Sequence, residues 1–222
     1  MKAYTSQNAD NRIIEALKRK GFDVHLLAPF DALTAPTDTH ADMLLLKVGD
    51  VIFKHTNYML EGDYSNICDP ISAKYPYDVP LNIAIVGKHA FLNEKHASKT
   101  VLKYLNENGY RIHHVSQGYT HCSTCIVNDN ALISADIGIV RTAQNLGIDA
   151  LQISKGCISL PPYEYGFIGG CSGSTDDAIY FCGSLSYHPD GEQIRDFIEK
   201  HRKEVIELVD TPLSDVGGIV FL

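Results

Sequence analysis

Residues 40–52 read His40-Ala41-Asp42-Met43-Leu44-Leu45-Leu46-Lys47-Val48-Gly49-Asp50-Val51-Ile52, and residues 121–133 read His121-Cys122-Ser123-Thr124-Cys125-Ile126-Val127-Asn128-Asp129-Asn130-Ala131-Leu132-Ile133. Set side by side without a gap, the histidines align, three apolar residues match three, a turn follows, and an apolar pair follows the turn. Each stretch predicts a strand, a tight Gly/Asp/Asn turn and a second strand. Two further segments have the same form: Ile83-Ala84-Ile85-Val86 turns at Gly87-Lys88 into Ala90-Phe91-Leu92, and a turn at Asp176-Asp177 leads into Ala178-Ile179-Tyr180-Phe181-Cys182.

The segment after each hairpin repeats as well. Asn93 is placed to cap a helix through Asn108, with Ala97, Val101 and Leu105 on one face and Gly109 as the stop, before a strand at 110–115. Asp136 opens a shorter helix ending before Gly147, then a strand at 150–153; Asp190 opens another, then a strand at 205–209. Near the start, Asp10 opens a helix carrying Ile13, Ile14 and Leu17, Gly21 ends it, and 24–27 is its strand. Residues 56–78, rich in Pro and Tyr, hold the place of the remaining helix and strand.

The internal turns at Gly49, Gly87, Asp129 and Asp176 lie 38, 42 and 47 residues apart, and 222 residues divided by five gives about 44. A bare strand at Lys2-Ala3-Tyr4 and another at Gly218-Ile219-Val220-Phe221-Leu222 form a split fifth hairpin, whose pairing closes a ring and removes open strand edges. The expected fold is therefore an α/β propeller with pseudo-fivefold symmetry, five strand-strand-helix-strand units in one domain over residues 1–222.

Composition narrows the function classes. The chain is 45% hydrophobic and 21% charged, ordinary values for a globular protein and unlike a disordered one. Its formal charge of −8, from 19 basic and 27 acidic residues, argues against a broad nucleic-acid face. No apolar run approaches the roughly 20 residues of a membrane helix, and the first residues lack the apolar core of a signal peptide. Six cysteines without such a signal read as reduced thiols in a cytoplasmic protein. Only Cys122 and Cys125 have metal-like spacing, and no second close pair follows, so neither zinc nor any other cofactor is expected. Cys125 and Cys182 read as small buried strand residues.

The five-unit repeat resembles the pentein fold of the guanidino-group-modifying enzymes. That family includes arginine deiminase, agmatine deiminase, amidinotransferases and dimethylarginine dimethylaminohydrolase, and the fold is shared by the non-enzymatic translation initiation factor six. The resemblance implies a central channel lined by the loop before each hairpin. Carboxylates there hold the guanidinium, a His exchanges protons, and a late Cys attacks the amidine carbon. Thr120-His121-Cys122-Ser123-Thr124-Cys125-Ile126-Val127 is similar to the family's histidine motif, so His121 is the candidate acid/base residue. Ala41-Asp42-Met43-Leu44 resembles the early acidic motif, making Asp42 the candidate guanidinium acceptor. The last family motif is two glycines followed shortly by the nucleophile. Asp215-Val216-Gly217-Gly218-Ile219-Val220-Phe221-Leu222 has the acid and the glycines but no cysteine, with Phe221 about where the thiol would stand.

Cys171 is the candidate substitute nucleophile, because Gly169-Gly170-Cys171-Ser172-Gly173-Ser174 leads into the fourth hairpin and should reach the channel. Its glycines would allow backbone amides to converge on an anion. Cys122, beside His121, is a second thiol candidate. His40 occupies the repeat position of His121, and Asp215 that of Asp42, so His40, Asp42, Cys122, Gly169, Gly170, Ser172 and Asp215 are expected at the ligand. Each also has a structural reading: the histidines as backbone partners at the ring centre, the aspartates as turn caps, the cysteines as packing. Tyr163, Glu164 and Tyr165, and the tyrosine-rich residues 58–77, are candidate walls or lids. The functional expectation is a central pocket for a small polar ligand of guanidino or amidine type, with or without Cys/His hydrolysis. The alternative is a catalytically silent pentein serving as a protein- or ribosome-interaction module. The oligomeric state is open.

Overall fold

The computed structural model describes residues 1–222. The chain opens with β1 (Lys2–Ser6), α1 (Asn11–Arg19) and β2 (Asp23–Leu27). A single helical turn α2 (Ala41–Leu44) then leads into β3 (Leu45–Val48), β4 (Val51–His55) and β5 (Ser65–Ile67). Next come β6 (Ala84–Val86), β7 (His89–Leu92), α3 (Lys99–Glu107) and β8 (Arg111–His114). After them stand β9 (Thr124–Asn128), β10 (Ala131–Ser134), α4 (Ile137–Asn145) and β11 (Asp149–Gln152). The last unit is β12 (Ser172–Ser174), β13 (Ala178–Phe181), α5 (Gly191–Lys200) and β14 (Glu204–Glu207), and β15 (Val220–Phe221) ends the chain.

These strands form five three-stranded sheets, ordered β3-β4-β5, β6-β7-β8, β9-β10-β11, β12-β13-β14 and β15-β1-β2. In each, the first two strands are antiparallel and the third returns parallel to the second. The first strands of neighbouring units pack together, β9 against both β6 and β12, and β12 against β15. The layout is the pseudo-fivefold α/β propeller expected from the repeat. The unit that departs is β3-β4-β5, where no helix joins β4 to β5 and the third strand is three residues long. No helix is long and apolar enough to cross a membrane.

Local chemistry explains most boundaries. Asp10 accepts from the Arg12 N–H at 2.8 Å to cap α1, and Gly21, with φ of 88°, ends that turn. Ile13, Ile14 and Leu17 form the buried stripe of α1. Asp136 caps α4 by accepting from Gly138 and Ile139 N–H. α3 differs from expectation, because Ser98 and not Asn93 caps it. Asp69 decides this from outside: its carboxylate accepts from Ser98 Oγ at 2.5 Å and Lys99 N at 2.9 Å, pinning the helix start there. Asp190 precedes α5 as expected, yet its carboxylate accepts from Ser154 N and makes no cap bond. Cys125 and Cys182 are buried in the largest apolar cluster.

The ungapped alignment of the two histidines is corrected by a β-bulge. Asn128 pairs with Ala131 but Ile126 pairs with Leu132, so Val127 is an extra residue in β9. Counting back from the fourth residue of each second strand, Lys54 pairs with Leu45 and Ser134 with Thr124. Asp42 and His121 each lie three residues before those partners, so they, and not His40 and His121, take matching places.

The termini close the ring through Ala3↔Phe221 and Tyr4↔Val220, flanked by Lys2 N to Leu222 O at 2.8 Å and Leu222 N to Lys2 O at 2.9 Å. Deleting residues 219–222 exposes the edge of β1 and removes the buried Val220 and Phe221. The two side chains alone contribute roughly 3–6 kcal/mol. Urea unfolding should show a loss of that order or aggregation. A circular permutant that joins the termini and opens at Gly49-Asp50 should instead keep the native circular dichroism and unfold cooperatively.

Candidate functional site

A cavity of about 830 Å³ occupies the axis of the ring. Its inner end is formed by residues leading into the first strands: Asp42, His121, Thr124, Gly169, Ser172, Gly217 and Gly218. Leu46, Ile83, Ile85, Ile126 and Ile219 line its middle, and the hairpin turns at Gly49, Gly87, Asp129 and Asp176 rim its open end. Five inner strands cannot converge on the axis without leaving such a space, and side-chain size decides what fills it.

Asp42 is 1% exposed, and neither carboxylate oxygen has a hydrogen-bond partner. Burial first, and the charge of Asp215 second, push its carboxyl up to about 8, with the adjacent Cys122 thiol opposing the rise. The His121 ring is held neutral, pushed down to about 4 by burial, and its buried Nδ1 also lacks a partner. A carboxylic acid and an imidazole, both with free buried polar atoms at one end of a cavity, form an arrangement that packing alone does not explain.

Asn82, which no sequence motif marks, ties these residues together. Its Oδ1 accepts from His121 N at 2.7 Å and Cys122 N at 3.2 Å. Its Nδ2 donates to the Asp42 carbonyl at 3.2 Å and lies 2.9 Å from Cys122 Sγ. The available signal was a lone amide in the otherwise apolar run Leu81-Asn82-Ile83 just before β6, where it is fully buried. Such a residue needs partners, and these are the backbones of the candidate site.

The other expected residues divide into those that reach the cavity and those that support it. Gly169 and Ser172 line it with Asp42 and His121. A Cβ on Gly169 would collide with the His121 carbonyl oxygen, so only glycine allows that approach. Asp215 stands behind: its carboxylate accepts from Phe167 N at 2.8 Å and Gly217 N at 3.0 Å, and a Cβ on Gly170 would strike it. Burial raises Asp215 to about 6, with those two backbone donors opposing the rise. His40 is buried and neutral, 3.8 Å from Asp215 and packed on Gly217. Cys122 does not line the cavity; its thiol sits beside Asp42 and Asn82, raised by burial and by the carboxylates of Asp42 and Asp215.

Cys171 is not brought to the cavity. Its thiol is fully buried in the largest apolar cluster, near Cys125 and Cys182, donates to the Ile168 carbonyl at 3.3 Å, and is raised by burial. The reason is strand alternation: Ser172 faces the axis, so its neighbour faces the core. The expected amide nest is also absent, since Gly170, Cys171 and Ser172 N–H donate to the carbonyls of Cys122, Phe167 and Gly169. Tyr163, Glu164 and Tyr165 do not line the cavity either. Tyr165 packs on Phe167, Phe167 stacks on Tyr119, and Tyr75 from the irregular segment packs on Tyr119. Tyr119 Oη donates to Asp78 at 2.5 Å. These aromatics form a wall beside Cys122, away from the cavity. No group of three or more His, Cys, Asp or Glu side chains is placed to hold a metal ion.

Among solved structures, the fold is similar to dimethylarginine dimethylaminohydrolase from Pseudomonas aeruginosa, a Cys-to-Ser mutant complexed with citrulline. That match has a TM-score of 0.56 at 16% identity, covering 90% of this chain and 79% of the other. A His-to-Gly dimethylarginine dimethylaminohydrolase adduct with S-methyl-L-thiocitrulline gives 0.59 at 14% identity, covering 94% and 92%. Agmatine deiminase of C. jejuni gives 0.55 at 11% identity, covering 93% and 86%. No curated protein matches the sequence. The family model described as "Family of unknown function (DUF6873)" matches residues 4–220. The fold is thus that of the guanidino-group-modifying penteins, and by sequence the chain belongs to the DUF6873 family.

Proposed function

We propose that the axial cavity binds a small guanidinium or amidinium cation, with Asp42 as its acceptor and His121 as the neighbour that exchanges a proton with it. The observation that carries this reading is Asp42 itself: a buried carboxyl with two unpartnered oxygens on the wall of a cavity. A planar cation with paired N–H donors supplies what those oxygens lack. The similarity to a pentein that carries an adduct with S-methyl-L-thiocitrulline, an isothiourea of amidine type, supports the same ligand class.

Covalent hydrolysis through a thiol is not part of this reading. No cysteine lines the cavity, Cys171 faces the core, and burial raises Cys122 and Cys171 away from the thiolate. The same observation favours a second reading, in which the pentein is catalytically silent and ligand occupancy serves an interaction with another macromolecule. Incubation with arginine, agmatine and methylated arginines, while following ammonia, methylamine and dimethylamine together with the ureido product, separates the two from a hydrolase. Sustained ammonia release that the Cys122→Ser variant lacks would overturn the binding-only reading.

Cation binding should depend on pH in a defined direction. Free Asp42 is protonated below about 8 and must ionise to hold a cation. Calorimetry with methylguanidinium should therefore show affinity rising by about tenfold per pH unit between pH 6 and 8, with proton release, then levelling. Asp42→Asn should abolish this dependence and weaken binding by at least about 30-fold. It should also raise the melting temperature near pH 8. The native Asp42 carboxyl lies above its unfolded value, so the folded state holds more protons from pH 4 to 8 and loses stability as pH rises through that window. A melting temperature lowered by this substitution would contradict the reading.

Thiol accessibility gives an independent check. Cys68 is exposed and Cys157 partly so, whereas Cys122, Cys125, Cys171 and Cys182 are buried. A colorimetric thiol reagent should titrate two of the six cysteines in the native protein, and the other four only on unfolding.

A further inference from the structure

A second cavity, of about 250 Å³, shares no residue with the axial one. It opens where the segments leading into β9 and β12 meet the carboxyl ends of the parallel neighbours β10 and β11. Ala135 to Ile137 follow the first of those strands and Ile153 to Gly156 the second. Ligands of α/β sheets characteristically occupy such a crevice, where the strands stop and their loops diverge. Ile153, Ile158, Ile168 and Phe167 give the cavity an apolar body. Its uncommitted polar groups stand at different depths. Ser123 is 2% exposed; its N–H donates to the Tyr119 carbonyl and its carbonyl accepts from Ser134 Oγ, but its own Oγ is buried without a partner. Lys155, on the open side, is exposed and forms no salt bridge. The two carboxylates nearby are already engaged. Asp136 accepts from Gly138 and Ile139 N–H, where the positive end of α4 offsets its charge, and from Gln117 Nε2 at 3.4 Å. Asp190 accepts from Ser154 N at 2.5 Å.

We infer that this cavity is a second ligand site, for a small aromatic acid that carries a hydroxyl opposite its carboxylate. The ring lies against the isoleucines and Phe167, the hydroxyl meets Ser123 Oγ at the buried end, and the carboxylate meets Lys155 at the mouth. Size sets the class: an apolar cavity of about 150 Å³ takes one benzene ring, so about 250 Å³ holds a ring with one small group at each end. A buried hydroxyl without a partner is costly, and a hydroxyl on the ligand supplies the missing hydrogen bond. An anion at the mouth gains the attraction of Lys155 without breaking an existing ion pair. A rigid ring joins the two contacts with little conformational entropy to lose. Because the two cavities have no residue in common, this site does not depend on the cation-binding reading.

The test is calorimetry at low salt with para-hydroxybenzoate, benzoate and para-hydroxybenzamide. The hydroxybenzoate should bind about fivefold more tightly than benzoate, through one added hydrogen bond, and about tenfold more tightly than the uncharged amide. Ser123→Ala should erase the first preference, and Lys155→Met, at an exposed position, the second, each leaving the other in place. Methyl resonances of isoleucine-labelled protein locate the ligand: those of Ile153, Ile158 and Ile168 should shift on binding, and those of Ile83, Ile85 and Ile126 in the axial cavity should not. Shifts confined to the axial set, equal affinity for all three compounds, or no binding of any of them up to about 10 mM would overturn the inference. So would either substitution leaving its preference intact.

Discussion

Antiparallel pairing of β1 with β15, through Ala3↔Phe221 and Tyr4↔Val220, is the constraint on which the rest of the architecture depends. It joins the two ends of the chain into one sheet and so completes the fifth unit of the ring. It also delivers the preceding turn to the axis. With β15 held in place, Gly217 packs on His40, Asp215 accepts from Phe167 and Gly217, and Gly218 donates to the Gly170 carbonyl at 2.7 Å. Three segments far apart in sequence thereby meet at the inner end of the cavity. Four residues of terminal strand organise a site to which they contribute little chemistry of their own.

The two carboxyls near the axis show how environment, and not residue type, assigns roles. Asp215 and Asp42 are similarly buried, but Asp215 accepts two backbone N–H bonds and Asp42 accepts none. The first is stabilised as a structural clamp; the second is left at about 8, neutral through most of the physiological range. An unpartnered buried carboxyl is costly for folding. Its persistence beside a cavity is accounted for if a ligand supplies the missing partners, which is the usual relation between local instability and function. His121 obeys the same logic. Asn82 satisfies its backbone N–H, while the Nδ1 of its ring is left without a partner.

Much of the fold was legible in the residues. Hairpin turns at regular spacing, capping aspartates at 10 and 136, stop glycines and the bare terminal strands were enough to count five units. Asp42 and His121 were both recognisable as candidates, and both reach the cavity. Their correspondence was not recognisable, because the extra residue at Val127 shifts β9 by one relative to its partner and no local pattern marks it. Cys171 misled because its glycine-rich neighbourhood places the backbone at the axis, while its side chain turns to the opposite face. Asn82 was passed over because an isolated amide acquires meaning only when its partners, two units of the ring, are brought beside it.

By itself, then, the sequence determined the periodic part of this protein: which segments are strands and helices, how many units there are, and that the ends pair. The first features depend on interactions within about ten residues or on the alternation of apolar and polar positions, and the pairing of the ends follows from the two bare strands that the count of units leaves over. Only the tertiary structure decided which side chains face the axis, which buried polar atoms remain unpartnered, and that no thiol lines the cavity. Desolvation, strand register and long-range hydrogen bonding set those properties, and each depends on neighbours that the linear order of residues does not name.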